Sequence, residues 1–388
     1  MADRLLSAPF LRATAANFFF FLNFAAYFLL PLHIRELGGG EATIGGIMGT
    51  AGLASLLVLP LIGLSIDRRG RRVFLLLGAA GMTLASLGFL LFDRLGLVLY
   101  VLRALQGASM AAAFTATTTF AAEFAPRARR AQALGLFGLS TLLTHALAPG
   151  LGEELVHRAG FPALFLAAML CSSVSFVLAL SLRDPVVAAY HSVTARDRRL
   201  NPEHWVVAAT MTLAGMGFGS VITFIATYVT SEGFGRVGYF FAAYTSMAIL
   251  TRLVGAGLSD RVGRRLVIMP SLIGLAVAIF WLASVHSLPS LFAAGALFGT
   301  AQGINYPTLH AYLVDLSSEA QLGRAQALFN GAFNLGVSGS AFAFGIVAEH
   351  YGYRVMFTLA AVMPVAACVV FGLGLQRFAA VPRAEPIG

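Results

Sequence analysis

The sequence predicts an all-α polytopic membrane protein of twelve transmembrane helices, built as two parallel six-helix repeats. Three observations carry that expectation. Of 388 residues, 58% are hydrophobic and 11% charged, with mean hydropathy +0.82, whereas a soluble domain is about 25% charged. Apolar runs of about 20 residues, enough to cross a bilayer, recur along the whole chain. A charged loop, Gly63 to Arg72 (GLSIDRRGRR), returns as Gly257 to Arg265 (GLSDRVGRR), an offset of 194 residues.

The expected spans of the first half are Ala13–Ile34, Ala42–Leu64, Val73–Phe92, Leu97–Phe120, Ala131–Leu155 and Phe161–Leu182. Those of the second are Trp205–Thr230, Gly238–Leu258, Leu266–Val285, Pro289–Leu313, Ala325–Ala348 and Val355–Leu375. Residues 1–182 form one bundle, 204–388 the other, and 183–203, polar and rich in arginine, the linker between them. No cleavable leader is expected, since the first apolar run is long enough to span and lacks a small-residue cleavage site.

Every one of the 26 basic residues is arginine, and with this topology 19 fall on the side of the termini and the linker against five on the other. The positive-inside rule makes the first side cytoplasmic, with both termini inside. The same clustering explains the net charge of +9 by the lipid bilayer, so no nucleic-acid partner is expected. Cys171 and Cys368 lie in apolar runs, which argues against disulfides and metal sites. Phosphate-cradling and dinucleotide motifs are missing, so the chain is expected to be no enzyme and to use no cofactor.

The repeat recurs elsewhere. Arg130-Ala-Gln-Ala-Leu134 matches Arg324-Ala-Gln-Ala-Leu328, and Gln106-Gly107 matches Gln302-Gly303. Six spans return a chain to its starting side, so the halves are parallel repeats. With the loop Gly63-x-x-x-Asp67-Arg68-x-Gly70-Arg71-Arg72 and the fourth-span motif Arg103-x-x-Gln106-Gly107, the chain resembles the major facilitator superfamily of secondary transporters. The resemblance implies that fold, with the first, fourth, seventh and tenth helices around a central cavity.

Acids in the repeated loop add nothing to orientation and are costly near hydrocarbon unless paired. Each half therefore offers a charge cluster at the cytoplasmic end: Asp67, Arg71 and Glu123 in the first; Asp260, Arg264 and Asp315 in the second. These are read either as latches of the outward-facing state or as static folding contacts. For Asp67, the resemblance implies a place at the N-terminus of the eleventh helix. Polar residues at membrane depth are the cavity candidates: Asn23, Tyr27, Arg103, Gln106, Gln302, Asn305 and Tyr306. Arg103 either faces the cavity as an anion's counter-ion or donates to carbonyls of a neighbouring helix. Arg252 is expected to snorkel toward the cytoplasm.

The fifth span, with Gly138, Gly150, Gly152 and Pro149, partly resembles the family's antiporter motif, with Ala148 where that motif has a glycine. No acid lies in the middle of any span, so proton coupling would fall to His145, His310 or an acid at a span's rim. The leading expectation is a monomeric, proton-coupled secondary transporter of the bacterial inner membrane, exporting a small apolar or amphipathic compound. A carrier for a small organic anion using Arg103, and a non-transporting receptor or scaffold, are the alternatives.

Overall fold

The structure, a computed structural model, describes residues 7–124, 130–184, 200–254 and 258–379. Among the described residues it is all helix and turn, with no strand. The first half holds α1 (Ala8–Ala26), a 3-10 turn (Tyr27–Leu29), α2 (Leu30–Glu36), α3 (Glu41–Arg69), α4 (Arg71–Leu91), α5 (Leu97–Phe124) and α6 (Arg130–Leu180). The second holds α7 (Pro202–Glu232), α8 (Gly238–Val254), α9 (Leu258–Val262), α10 (Arg264–Leu282), α11 (Leu288–Leu316) and α12 (Glu319–Ala379).

Local chemistry sets these boundaries. The Ser7 and Ser287 side chains accept from backbone N–H groups at the starts of α1 and α11, each with proline in the first turn. Asn201 and His204 form a reciprocal capping box before α7. The two longest helices are each two helices joined at a glycine outside helical geometry, Gly160 (φ 76) in α6 and Gly352 (φ 79) in α12. Among the described residues, eight stretches, these two included, are long and apolar enough to cross a membrane. The 17-residue α8 and the polar-studded α11 are outside that set of eight; twelve spans is the sequence's expectation.

The repeat is visible as packing. α1 lies against both arms of α6: Asn17 donates to Thr141 Oγ1 (2.7 Å), Asn23 to the Ala168 carbonyl (2.6 Å), and the Ser175 hydroxyl to the Ala16 carbonyl (2.8 Å). α7 lies likewise against both arms of α12, at Gly215 beside Phe333 and Gly217 beside Pro364. In the Gln-Gly pairs, a side chain at Gly107 would run into the Ala51 backbone of α3, and one at Gly303 into the Ala248 backbone of α8. Helices in lipid gain no hydrophobic drive to associate, so such close backbone contact holds them together. Across the halves, α3 meets the first arm of α12 (Gly45 against Ala341, Gly52 against Ser338). The first arm of α6 meets α8 (Gly150 against Gly238).

The halves are joined unequally. At the end away from the linker, one hydrophobic core runs through both, from Ala25–Leu30 and Phe161–Ala168 to Phe224–Val229, Phe240, Phe241 and Met356–Ala361. At the linker end each half has its own: Ala13, Phe20, Phe74, Ala113 and Phe120 in the first, Val207, Met211, Leu309, Phe329 and Phe371 in the second. The molecule forks toward the linker. Leu57, Leu61, Leu77, Leu84, Leu170, Val177, Leu266 and Leu373 stay exposed, a perimeter suited to lipid.

If the close crossings hold each bundle together, Gly107→Val and Gly303→Val should each cost about 1–3 kcal/mol by overpacking. A lower thermal unfolding midpoint in detergent would report it. Gly339→Ala, with open space around the added methyl, should leave the midpoint in place.

Candidate functional site

The closed end is held by two carboxylates that cap helices of the opposite half. Glu153, at the end of the first arm of α6, accepts from the backbone N–H groups of Val237 (3.0 Å) and Gly238 (2.8 Å) at the start of α8. Glu349, its counterpart 196 residues later in α12, accepts from Ala42 (2.7 Å) at the start of α3. An anion at a helix N-terminus meets unpaired donors and the positive end of the helix dipole, worth about 0.5–2 kcal/mol. Beside these caps, Glu154 pairs with Arg236 across the seam. Arg35 pairs with Glu41 and donates to Tyr353 Oη (2.7 Å) and the Thr227 carbonyl (3.2 Å), both in the second half. Phe28 stacks on Phe241, centroids 5.5 Å apart.

These residues were outside the sequence's gating expectation, which looked to the linker end. There, the side chains of Asp67, Glu123 and Asp260 lie outside the described residues. Arg71 is buried, and its backbone N–H (2.8 Å) and that of Arg72 (2.9 Å) donate to Asp184. Asp184 thus caps α4 from the start of the linker, in space that a side chain at Gly70 would fill. In the second half Arg264 pairs with Asp315 as expected from the spacing, while Arg265 donates to Tyr312 Oη (3.2 Å).

The cavity candidates separate into two groups. Asn23 is fully buried inside the first bundle, donating also to Ser86 Oγ (2.9 Å) and Ser172 Oγ (3.1 Å). Tyr27 lies beside it, stacked on Phe165 at 5.8 Å. Arg103 donates to Gln106 Oε1 (2.8 Å) next to Tyr27, and among the described residues no carboxylate pairs with it. This group tethers α1, α4, α5 and α6 within one half. Asn305, also fully buried, accepts from Ser271 Oγ (3.3 Å), and Gln302 is buried on the same helix.

The second group stands at the fork's apex. His145 of α6 packs edge-on to Phe28 (5.3 Å) and stacks with Tyr244 of α8 (6.3 Å), so it sits between the halves. Tyr244 neighbours Phe218, Phe218 neighbours Phe333, and Phe333 neighbours Tyr306 (5.5 Å), whose hydroxyl reaches Asn330 Oδ1 at 3.5 Å. His310 closes the line against Phe329 (5.2 Å). Arg252, half-buried on α8, points sideways: its Nη1 lies 3.7 Å from where a Gly138 side chain would begin on α6. It acts electrostatically on His145, Tyr244 and Tyr306. The contact at Gly138 sets the guanidinium against α6 of the other half, which differs from the expected snorkelling toward the linker end. Among the described residues, no cluster of metal-ligating side chains occurs.

Two half-bundles, sealed together at one end, parted at the other and lined at the apex by aromatic and polar side chains, define a membrane transporter. The chain belongs to the Major Facilitator Superfamily, whose model matches residues 13–251 and 207–386. It is 24% identical over 359 residues to the uncharacterized MFS-type transporter YhhS of Escherichia coli (strain K12), covering 87% of each chain. Multidrug resistance protein MdtG of Enterobacter lignolyticus is 24% identical over 379 residues, covering 92% of this chain and 90% of its own. The fold matches the crystal structure of nucleoside transporter NupG with a TM-score of 0.78 at 14% identity, over 94% and 99% of the two chains.

The caps make a direct prediction. In a Cys171→Ser, Cys368→Ser background, a cysteine placed by Ala148→Cys sits buried at the sealed end. Glu153→Ala or Glu349→Ala should speed its labelling by a membrane-impermeant maleimide about two- to thirty-fold, as loss of about 0.5–2 kcal/mol requires. Unchanged labelling in both variants would mean that the caps do not hold the seal.

Proposed function

We propose that the chain is a secondary transporter that exports a small apolar or amphipathic compound by alternating access, coupled to protons. The observation that carries this reading is the unequal join: one shared core at one end and two separate cores at the other, as expected of one of two alternating states. The arginine distribution supports a cytoplasmic linker end and the bacterial relatives support the inner membrane; on that reading the state described is inward-facing. In the opposite state the clusters around Asp67 and Asp260, with Arg264 and Asp315, would close the cytoplasmic end.

Support for a weakly polar cargo comes from the apex, where the line from Phe28 to Tyr306 offers aromatic faces and few charges. Export accords with the similarity to a multidrug resistance protein. His145, at the seam and with Nδ1 lacking a hydrogen-bond partner among the described residues, is our proton carrier, with His310 the second candidate. A second reading, a carrier for organic anions with Arg103 as counter-ion, draws on that arginine's burial without a carboxylate.

Proteoliposomes decide between these. An imposed pH gradient should drive amphipathic dyes across the membrane, and His145→Gln should abolish the gradient dependence while leaving exchange at equal pH. Arg103-dependent anion uptake would favour the second reading. No flux over a broad panel of apolar, cationic and anionic compounds would sink transport altogether.

A further inference from the structure

Several arginines of this molecule are answered by acids, Arg35 by Glu41, Arg158 and Arg236 by Glu154, Arg264 by Asp315, and the buried Arg103 donates to Gln106 instead. Arg252 is different. Among the described residues it has no hydrogen bond and no ion pair, and its Nε is buried without an acceptor. The groups its charge acts on, His145, Tyr244 and Tyr306, come from both halves, and none is an anion at neutral pH. An uncompensated guanidinium within the membrane is costly unless something negative meets it.

Its position gives that something a shape. The contact between Gly150 and Gly238 fixes the register of α6 against α8. Gly138 and Arg252 lie nearly level, 12 and 14 residues toward the linker from that contact. A side chain at Gly138 would begin 3.7 Å from the Arg252 guanidinium, in ordinary contact with it. Arg252 is half-buried, hence reachable from the parted side, whereas Arg103 is 5% exposed and already bonded to Gln106. Three of the groups within reach of the Arg252 charge, His145, Tyr244 and Tyr306, belong to the aromatic line that runs through Phe218 and Phe333. A single cation next to a run of ring faces suits a ligand with one acidic group and a flat apolar body.

We propose that Arg252 binds the anionic group of the cargo, which is an amphipathic organic anion, an aromatic or apolar body bearing a carboxylate or a sulfonate, seated between the halves against Tyr244 and Tyr306. This rests on the transport reading and narrows it. A planar guanidinium engages a carboxylate through two parallel hydrogen bonds, which adds orientation to charge. The rings then take the body, and the cargo's charge meets a guanidinium that has no acid paired with it among the described residues.

The test uses the full chain in phosphatidylcholine nanodiscs and pairs of ligands that differ in one group: naphthoate with naphthylmethanol, and biphenylcarboxylate with biphenylmethanol. The acids should bind the unaltered chain at least ten-fold more tightly than the alcohols. Arg252→Gln should remove that preference and leave the alcohols within about two-fold; Arg252→Lys should keep part of it. If Arg252→Gln fails to fold, Gly138→Met, which fills the space beside Nη1, should weaken the acids selectively. Equal binding of acids and alcohols, or a preference that survives Arg252→Gln, overturns the proposal. Flux of the same compounds in proteoliposomes separates the two readings. Transport without acid preference overturns the anion site alone, and Arg252-dependent acid binding without transport overturns the transport reading alone.

Discussion

Glu153 reaches from the first half to the start of α8, and Glu349 reaches back from the second half to the start of α3. These reciprocal caps decide how the rest of the molecule is disposed. Each satisfies backbone donors that the first turn of a helix leaves unpaired, in a place where water would otherwise be needed. With both ends tied, α3 is held along α12 and α6 along α8. The side chains from Ala25 to Ile34 can then merge with Phe218 to Val229 into one core. At the linker end the described residues show charge pairs and caps within each half, Arg264 with Asp315 and Asp184 with the start of α4, and the cores separate.

The duplicated sequence accounts for the symmetry of this arrangement and also for its limits. Gln106-Gly107 and Gln302-Gly303 use their glycines alike, at tight crossings of α5 on α3 and of α11 on α8. The polar residues around them have diverged. Arg103 has Gly299 as its counterpart 196 residues later, and Arg252 has Val58 at 194. Each half thus carries one membrane-embedded arginine at a site the other lacks. Arg103 went inward, against Gln106 of its own helix and near Tyr27. Arg252 faces the seam. Two similar bundles become one asymmetric site because their unshared charges point differently.

The fold was legible because apolar length and a long-range repeat are properties of whole segments. The Arg264–Asp315 pair was also legible, since conserved spacing in the two halves placed both at one end of the bundle. Single side chains were not. Asn23 reads as a cavity residue by type and depth, yet period alone does not tell which face of α1 meets α4 and α6 and which meets the cavity. Arg252 reads as a snorkelling residue until α6 is packed beside it. Glu153 and Glu349 carried a usable signal, an offset of 196 close to that of the Gln-Gly pairs. Residue type alone points the other way, because glutamates at span ends ordinarily face water. Asp184 offered none, for its partner lies 113 residues away and has no repeat.

Reversal between states requires that the seal be strong enough to form and weak enough to open. Shifting a two-state population from 1:99 to 99:1 takes about 5.5 kcal/mol. Among the described residues, the polar links across the sealed end are two caps, the Arg35 contacts to Tyr353 and Thr227, and the Glu154–Arg236 pair. Neutral hydrogen bonds contribute about 0.5–1.5 kcal/mol each and charged ones about 1.5–3, with the exposed ion pair at the low end. Stacking of Phe28 on Phe241 adds about 0.5–1.5 kcal/mol. These increments are of the size that a few new contacts at the opposite end can match. The seam between α3 and α12 sets Gly45 against the Ala341 backbone and Gly52 against Ser338, with the Phe342 ring on Gly49 and Leu56 against Gly331. Close contacts of this kind fall off steeply with distance, and parting the halves at the sealed end must also part the core they share there.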